Sequence, residues 1–204
     1  IEQAGMHPAG AGPPGAGATM RPLFAFIILL LAGCSSQPTP TAYLDKGTVM
    51  TLPAPVLAAP FYRQQLLTAS VGESTHQLMT VLEADGRQLT LVGLTPSGVR
   101  LFLVRYDQQG ISTRQLSPLL TTGMPPVSQV LADVMLCYWP LASWQSQLPP
   151  GWTLRDEGLL RRLRAPDGAL VTEIRYRDVD GVREPVGLQQ HVFHYRLQLE
   201  TLSQ

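Results

Sequence analysis

The chain has no asparagine and a single lysine, Lys46, in 204 residues. Without asparagine there is no N-glycosylation site. Arginine supplies nearly all the positive charge, and 15 basic side chains balance 15 acidic ones to a formal net charge of zero. Binding to nucleic acid needs a net basic surface to neutralise phosphate, so a neutral chain argues against nucleic-acid binding as the main role. Two cysteines, Cys34 and Cys137, cannot build a disulfide framework. No apolar run approaches the roughly 20 residues that a membrane-spanning helix needs. Catalytic motifs are also missing. There is no Gly-x-Ser-x-Gly elbow, no phosphate-cradling glycine loop and no His-Glu-x-x-His zinc pair. His191 and His194 lie three apart, which on one strand sends them to opposite faces and makes them poor co-ligands. His191 then falls on the apolar face and reads as a core histidine. Asp178 and Asp180 flank a turn at Gly181, and turn chemistry explains them better than a calcium loop. The expectation is a protein that is not an enzyme and holds no metal.

What the chain does have begins at Met20, with the stretch MRPLFAFIILLLAGC. One basic residue, Arg21, precedes a short apolar run from Leu23 to Leu31, and small residues lead to Cys34. This is the layout of a secretory signal peptide. Leu31-Ala32-Gly33-Cys34 resembles the bacterial lipoprotein signal, in which the cysteine is acylated and becomes the first residue of the mature protein. The resemblance implies an N-acyl diacylglycerol on Cys34 as the one covalent group. Ser35 stands where an aspartate would mark inner-membrane retention, which resembles a Gram-negative outer-membrane lipoprotein facing the periplasm. Residues 1–19, rich in Gly, Ala and Pro, read as upstream or expression sequence, and residues 20–33 as the signal peptide.

Residues 34–60 carry Pro38, Pro40, Pro53, Pro55 and Pro60 among Ser, Thr and Ala. Proline removes backbone donors and fixes φ, so the segment reads as a tether with at most a short strand near Thr48–Leu52. With Cys34 acylated, Cys137 has no partner; set between Leu136 and Tyr138, it is expected to be a buried small hydrophobe.

Residues 61–204 read as one domain of ordinary size. Strand patterns run over Phe61–Val71, His76–Glu83, Gln88–Thr95, Val99–Tyr106 and Ile111–Leu116, with turns at Asp85-Gly86, Pro96-Ser97-Gly98 and Gln109-Gly110. Val99, Leu101 and Leu103 share one face of their strand, and Phe102, Val104 and Tyr106 the other. The period then changes. After Pro125-Pro126, the residues Val127, Val130, Leu131, Val134, Met135 and Tyr138 form one apolar stripe at helical spacing, opposite Ser128, Gln129, Ala132 and Asp133. Pro140 interrupts it, and Leu141, Trp144 and Leu148 continue the spacing to Pro149-Pro150-Gly151. Strands resume over Trp152–Glu157, Leu159–Arg164, Ala169–Arg177 and Leu188–Leu199. The arginines from Arg155 to Arg196 alternate with acids and read as a solvated face. Trp139, Trp144 and Trp152 bracket the helix ends and read as core.

The sum is α+β and mainly β: a curved antiparallel sheet with the helical segment packed across its concave side. A lipoprotein signal, a strand meander, a central helical pair and a closing meander resemble the lipoprotein-localisation family of LolA and LolB, and the resemblance implies a curved antiparallel open barrel with a helical lid. Phe61-Tyr62-x-Gln64-Gln65 and the segment from Met124 to Leu148 are the best local matches. The chain resembles more closely the LolB-like outer-membrane lipoproteins, some of which are encoded with aryl-polyene lipid biosynthesis genes. The family's exposed-leucine delivery loop has no counterpart here, where the matching stretch is the polar turn EADGRQ. The resemblance implies an apolar cavity for acyl chains, lined by Leu89, Leu101, Leu103, Val127, Val130, Leu131, Val134, Met135, Tyr138 and Trp144. It implies as partners an acyl-chain or lipid cargo (a lipoprotein, or a glycolipid or aryl-polyene lipid), the outer membrane through the anchor, and a periplasmic carrier protein. A scaffold lipoprotein with a solid core, binding an envelope protein, is the alternative.

Overall fold

Strand β3 (Phe61–Val71) pairs along its whole length with β4 (Ser74–Ala84) on one side and with the last strand of the chain on the other. That second pairing fuses two meanders into one sheet. The computed structural model describes residues 40–115 and 125–203. From β4 the first meander continues through β5 (Leu89–Leu94), β6 (Arg100–Asp107) and β7 (Gly110–Gln115). Two helices follow, α1 (Val127–Tyr138) and α2 (Leu141–Gln145). The second meander is β8 (Thr153–Glu157), β9 (Leu160–Arg164), β10 (Leu170–Val179), β11 (Val182–Gln190) and β12 (Tyr195–Ser203). Sheet order is β7-β6-β5-β4-β3-β12-β11-β10-β9-β8, antiparallel throughout. The sheet is curved and stays open, with β7 and β8 as its edges. This is the expected fold class.

Local chemistry explains most boundaries. Asp85 Oδ1 accepts the backbone N–H groups of Arg87 at 2.6 Å and Gln88 at 2.8 Å, which turns β4 into β5. α1 begins after Pro126, whose missing N–H costs nothing in a first helical turn.

Three expectations need correction. The alternation from Leu188 to Leu199 is two strands, not one. Gln190 Oε1 accepts the N–H groups of Val192 at 2.6 Å and Phe193 at 3.1 Å, and His194 takes a positive φ of 56°. The side-chain acceptor folds the chain back where an apolar period of two promised continuation. His191 and His194 are both exposed in this turn, so His191 is not a core residue.

The inner face of β6 carries Phe102, Val104 and Tyr106, all buried, and places Leu103 on the outer face. A bulge opposite Gly93 resets the register between Gly93 and Leu94. Gly93 itself sits under Phe102, and a Cβ there would overlap the ring.

The third correction is the largest. The proline-rich stretch enters the fold from residue 40. β1 (Thr41–Tyr43) and β2 (Val49–Thr51) form a hairpin outside the main sheet, and Ala42, Leu44, Met50 and Leu52 are buried in the common core. Prolines 53 and 55 are buried as well. A tether of 34–60 is therefore confined, at most, to its first six residues.

Candidate functional site: the inner face of the sheet

The concave face of the first meander is built by residues of alternate parity. Leu82 and Ala84 from β4, Leu89 and Leu91 from β5, and Phe102, Val104 and Tyr106 from β6 are all buried. Against this apolar surface and against β11 lies α1. Its Leu131, Met135 and Leu136 are buried, as are Trp139 just after it and Trp144 in α2. Each such side chain contributes roughly 1.5–3 kcal/mol before entropy is deducted.

The face of α1 expected to meet solvent is buried too. Gln129, Ala132 and Asp133 are at most 6% exposed. Residues 40–57 explain this: they form a strap across the helix and the inner side of β6. Gln129 Oε1 accepts the N–H of Tyr43 at 3.1 Å. Trp139 Nε1 donates to the carbonyl of Ala54 at 3.0 Å, and the Tyr106 hydroxyl donates to that of Pro53 at 2.9 Å. Backbone pairing holds the strap's two strands to each other, whereas side-chain bonds and apolar burial hold them to the domain.

The sheet in turn clamps the end of α1. Arg161, 6% exposed, donates from Nη1 to the carbonyls of Leu136 at 2.7 Å and Trp139 at 2.8 Å. Its other side grips Asp156 with two bonds, at 2.8 and 3.0 Å. Burial opposes the charge of both partners, and their mutual attraction outweighs it, so Asp156 is held below the usual carboxylate range and Arg161 above its own. The Tyr176 hydroxyl donates to a further carbonyl of the last turn, that of Cys137, at 2.8 Å. Carbonyls that a helix end leaves open are thus filled by two side chains of β9 and β10.

Asp133 points from α1 into the core and accepts the Tyr195 hydroxyl at 2.6 Å. Burial pushes its carboxyl up to about 7, with the bonds from Tyr195 and Gln129 working the other way. Cys137 is buried and its thiol is pushed up by burial, as expected of an inert core cysteine.

Most of the residues expected to line a cavity are brought together. Leu89, Leu131, Met135 and Trp144 are fully buried, Leu101 is 7% exposed at the bulge, and Val130, Val134 and Tyr138 are half-buried beside them. Leu103 faces away. The side chain of Val127 and the whole of Cys34 lie outside the described residues. Sequence reasoning missed Gln65 of β3. It is 3% exposed on the inner face, and its Nε2, like the Tyr138 hydroxyl, has no hydrogen-bond partner among the described residues. The Phe61 ring packs on Tyr138 with centroids 4.7 Å apart. Two surface clefts, of about 380 Å³ beside α2 and β8 and about 280 Å³ at the β11–β12 turn, do not reach under α1.

No residue cluster among those described could hold a metal ion, and no described helix is long and apolar enough to cross a membrane. The family described as "Protein of unknown function (DUF3261)" matches residues 62–203. No curated protein matches the chain. Among solved structures, the chain is similar to a domain described as an outer membrane lipoprotein-sorting protein from Vibrio parahaemolyticus. The identity is 12%, the TM-score is 0.43, and the match covers 71% of this chain and 84% of that one.

Proposed function

The chain belongs to the DUF3261 family, and on that footing we propose that it is an outer-membrane lipoprotein, anchored through Cys34 and facing the periplasm, that holds an acyl-chain cargo without catalysis. The observation that carries this reading is a polar pair on the inner face, Gln65 Nε2 and the Tyr138 hydroxyl, which lie near each other while neither makes a hydrogen bond of good geometry among the described residues. A buried donor left without an acceptor costs about 1–3 kcal/mol. On the same face Gln65 sits between Thr80 and Thr201, and the apolar Phe61, Leu82 and Ala84 lie further along it. An ester or carboxyl oxygen at the head of an acyl chain satisfies such donors, and its methylenes suit such walls, at about 0.8 kcal/mol for each one buried.

In this reading the structure is the closed form. Leu44, Met50 and Leu52 of the strap cover apolar surface that a guest would otherwise cover. The strap is free of the main sheet, so it moves aside without breaking a strand ladder. The cargo class is a lipoprotein acyl chain or a glycolipid or aryl-polyene lipid, delivered by a periplasmic carrier. The test is native mass spectrometry of protein taken from membranes. A co-purifying lipid, lost in Tyr138→Phe, supports the reading; bare protein in both contradicts it.

A second reading is favoured by the full burial of Leu131, Met135 and Leu136 on α1: a scaffold lipoprotein with a solid core that binds an envelope protein. It predicts no lipid in that experiment and a protein cross-linked to the domain in cells.

A further inference from the structure

The described residues begin at Pro40, six residues after Cys34. Fully extended, that chain spans about 20 Å at roughly 3.3–3.6 Å per residue. A longer tether would let the domain stand clear of the bilayer; this one holds the entrance of the strap against it. The part of the domain nearest that entrance is the β1–β2 hairpin. Its outward face pairs two exposed apolar side chains. Tyr43 and Val49 are cross-strand partners and are 50% and 47% exposed. Val56, further along the strap, is 40% exposed. Lys46 stands exposed at the hairpin tip. The tip is rigid, because Asp45 Oδ1 accepts the N–H groups of Gly47 at 2.8 Å and Thr48 at 2.7 Å.

We infer that the outer face of this hairpin, Tyr43 and Val49 with Lys46, rests on the phospholipid surface to which Cys34 is anchored. Tyrosine and lysine flanking apolar side chains suit the headgroup boundary, where rings and amines find polar groups while carbon reaches the acyl region. Asp45 offsets Lys46, so the contact is interfacial and apolar, and insensitive to salt. The inference rests on the proposed anchor, and it adds that the same segment touches the membrane on one side and closes the apolar interior on the other. A lipid surface is therefore placed to pull on the strap.

The test couples the chain from Cys34 onward to maleimide-bearing phospholipid vesicles; Cys137 is buried and does not compete. Tyr43→Trp and Tyr62→Trp are compared in vesicles with brominated acyl chains. Tyr62 is as exposed as Tyr43, at 44%, but lies on the outer face of β3. The native tryptophans, at most 9% exposed, form a constant background. The expected result is loss of the added emission in Tyr43→Trp, unchanged by high salt, and none in Tyr62→Trp. Quenching of Tyr62→Trp alone, or of neither variant, overturns the inference, the second outcome leaving a protein partner for the hairpin. Mass spectrometry of Cys34 in protein from cells reports separately on the natural anchor, so failure of that reading is distinguishable.

Discussion

Arg161 donates to the carbonyl of Trp139 at 2.8 Å from a side chain that is itself almost wholly out of water. This guanidinium, together with the Tyr176 hydroxyl, holds the end of α1 to the sheet, where a cation also meets the negative end of the helix dipole. Arg161→Met leaves Asp156 with Arg183 as its only partner and leaves two carbonyls open. We expect a loss of about 3–5 kcal/mol of unfolding free energy in urea, as for other broken buried pairs. Arg161→Lys keeps the charge but not the fork, and should recover only a minor part.

Asp133 gives a pH dependence of definite sign. Its carboxyl is raised from 3.8 to about 7 in the folded chain, so the folded state holds a proton that the unfolded state has released. The stability it contributes is full below pH about 4 and is lost as pH rises towards 7, by on the order of 4 kcal/mol. Chemical denaturation at pH 5 and pH 8 should therefore show a fall that Asp133→Asn abolishes. Equal slopes in both proteins would mean that the carboxyl is not buried as described.

The strap offers a direct contrast between tether and core. A tether tolerates truncation, whereas Leu44, at 1% exposure, and Leu52, at 3%, lie in the common core. Leu44→Ala and Leu52→Ala should each cost about 2–5 kcal/mol. A melting temperature unchanged in both would return residues 40–57 to the status of a linker.

These elements also mark where the sequence was legible. The α1 stripe has a period that no strand can imitate, and it gave both ends of the helix, Val127 and Tyr138, correctly. The meanders were legible because each turn carries its own chemistry, as at Asp85. The strap was not, because its prolines mask a period-two pattern, Ala42 with Leu44 and Met50 with Leu52, whose partners are distant. For the same reason Gln129 and Asp133 looked like solvent-facing residues. Their partners, Tyr43 and Tyr195, are 86 and 62 residues away in the chain. Gln65 drew notice only as part of a family-like motif, since a missing partner is visible only in three dimensions. Leu103 was misplaced because both faces of its strand are apolar and hydropathy does not say which turns inward; the bulge at Leu101 lies before it and leaves it on the outer face.

The central claim is that the inner face takes an acyl chain when the strap yields, and titration of a fluorescent fatty acid into the delipidated chain tests it most directly. The account predicts saturable binding that unlabelled fatty acid competes away, tighter in Leu52→Ala and weaker in Tyr138→Phe. No saturable binding in the native chain or in the loosened strap variant would contradict it.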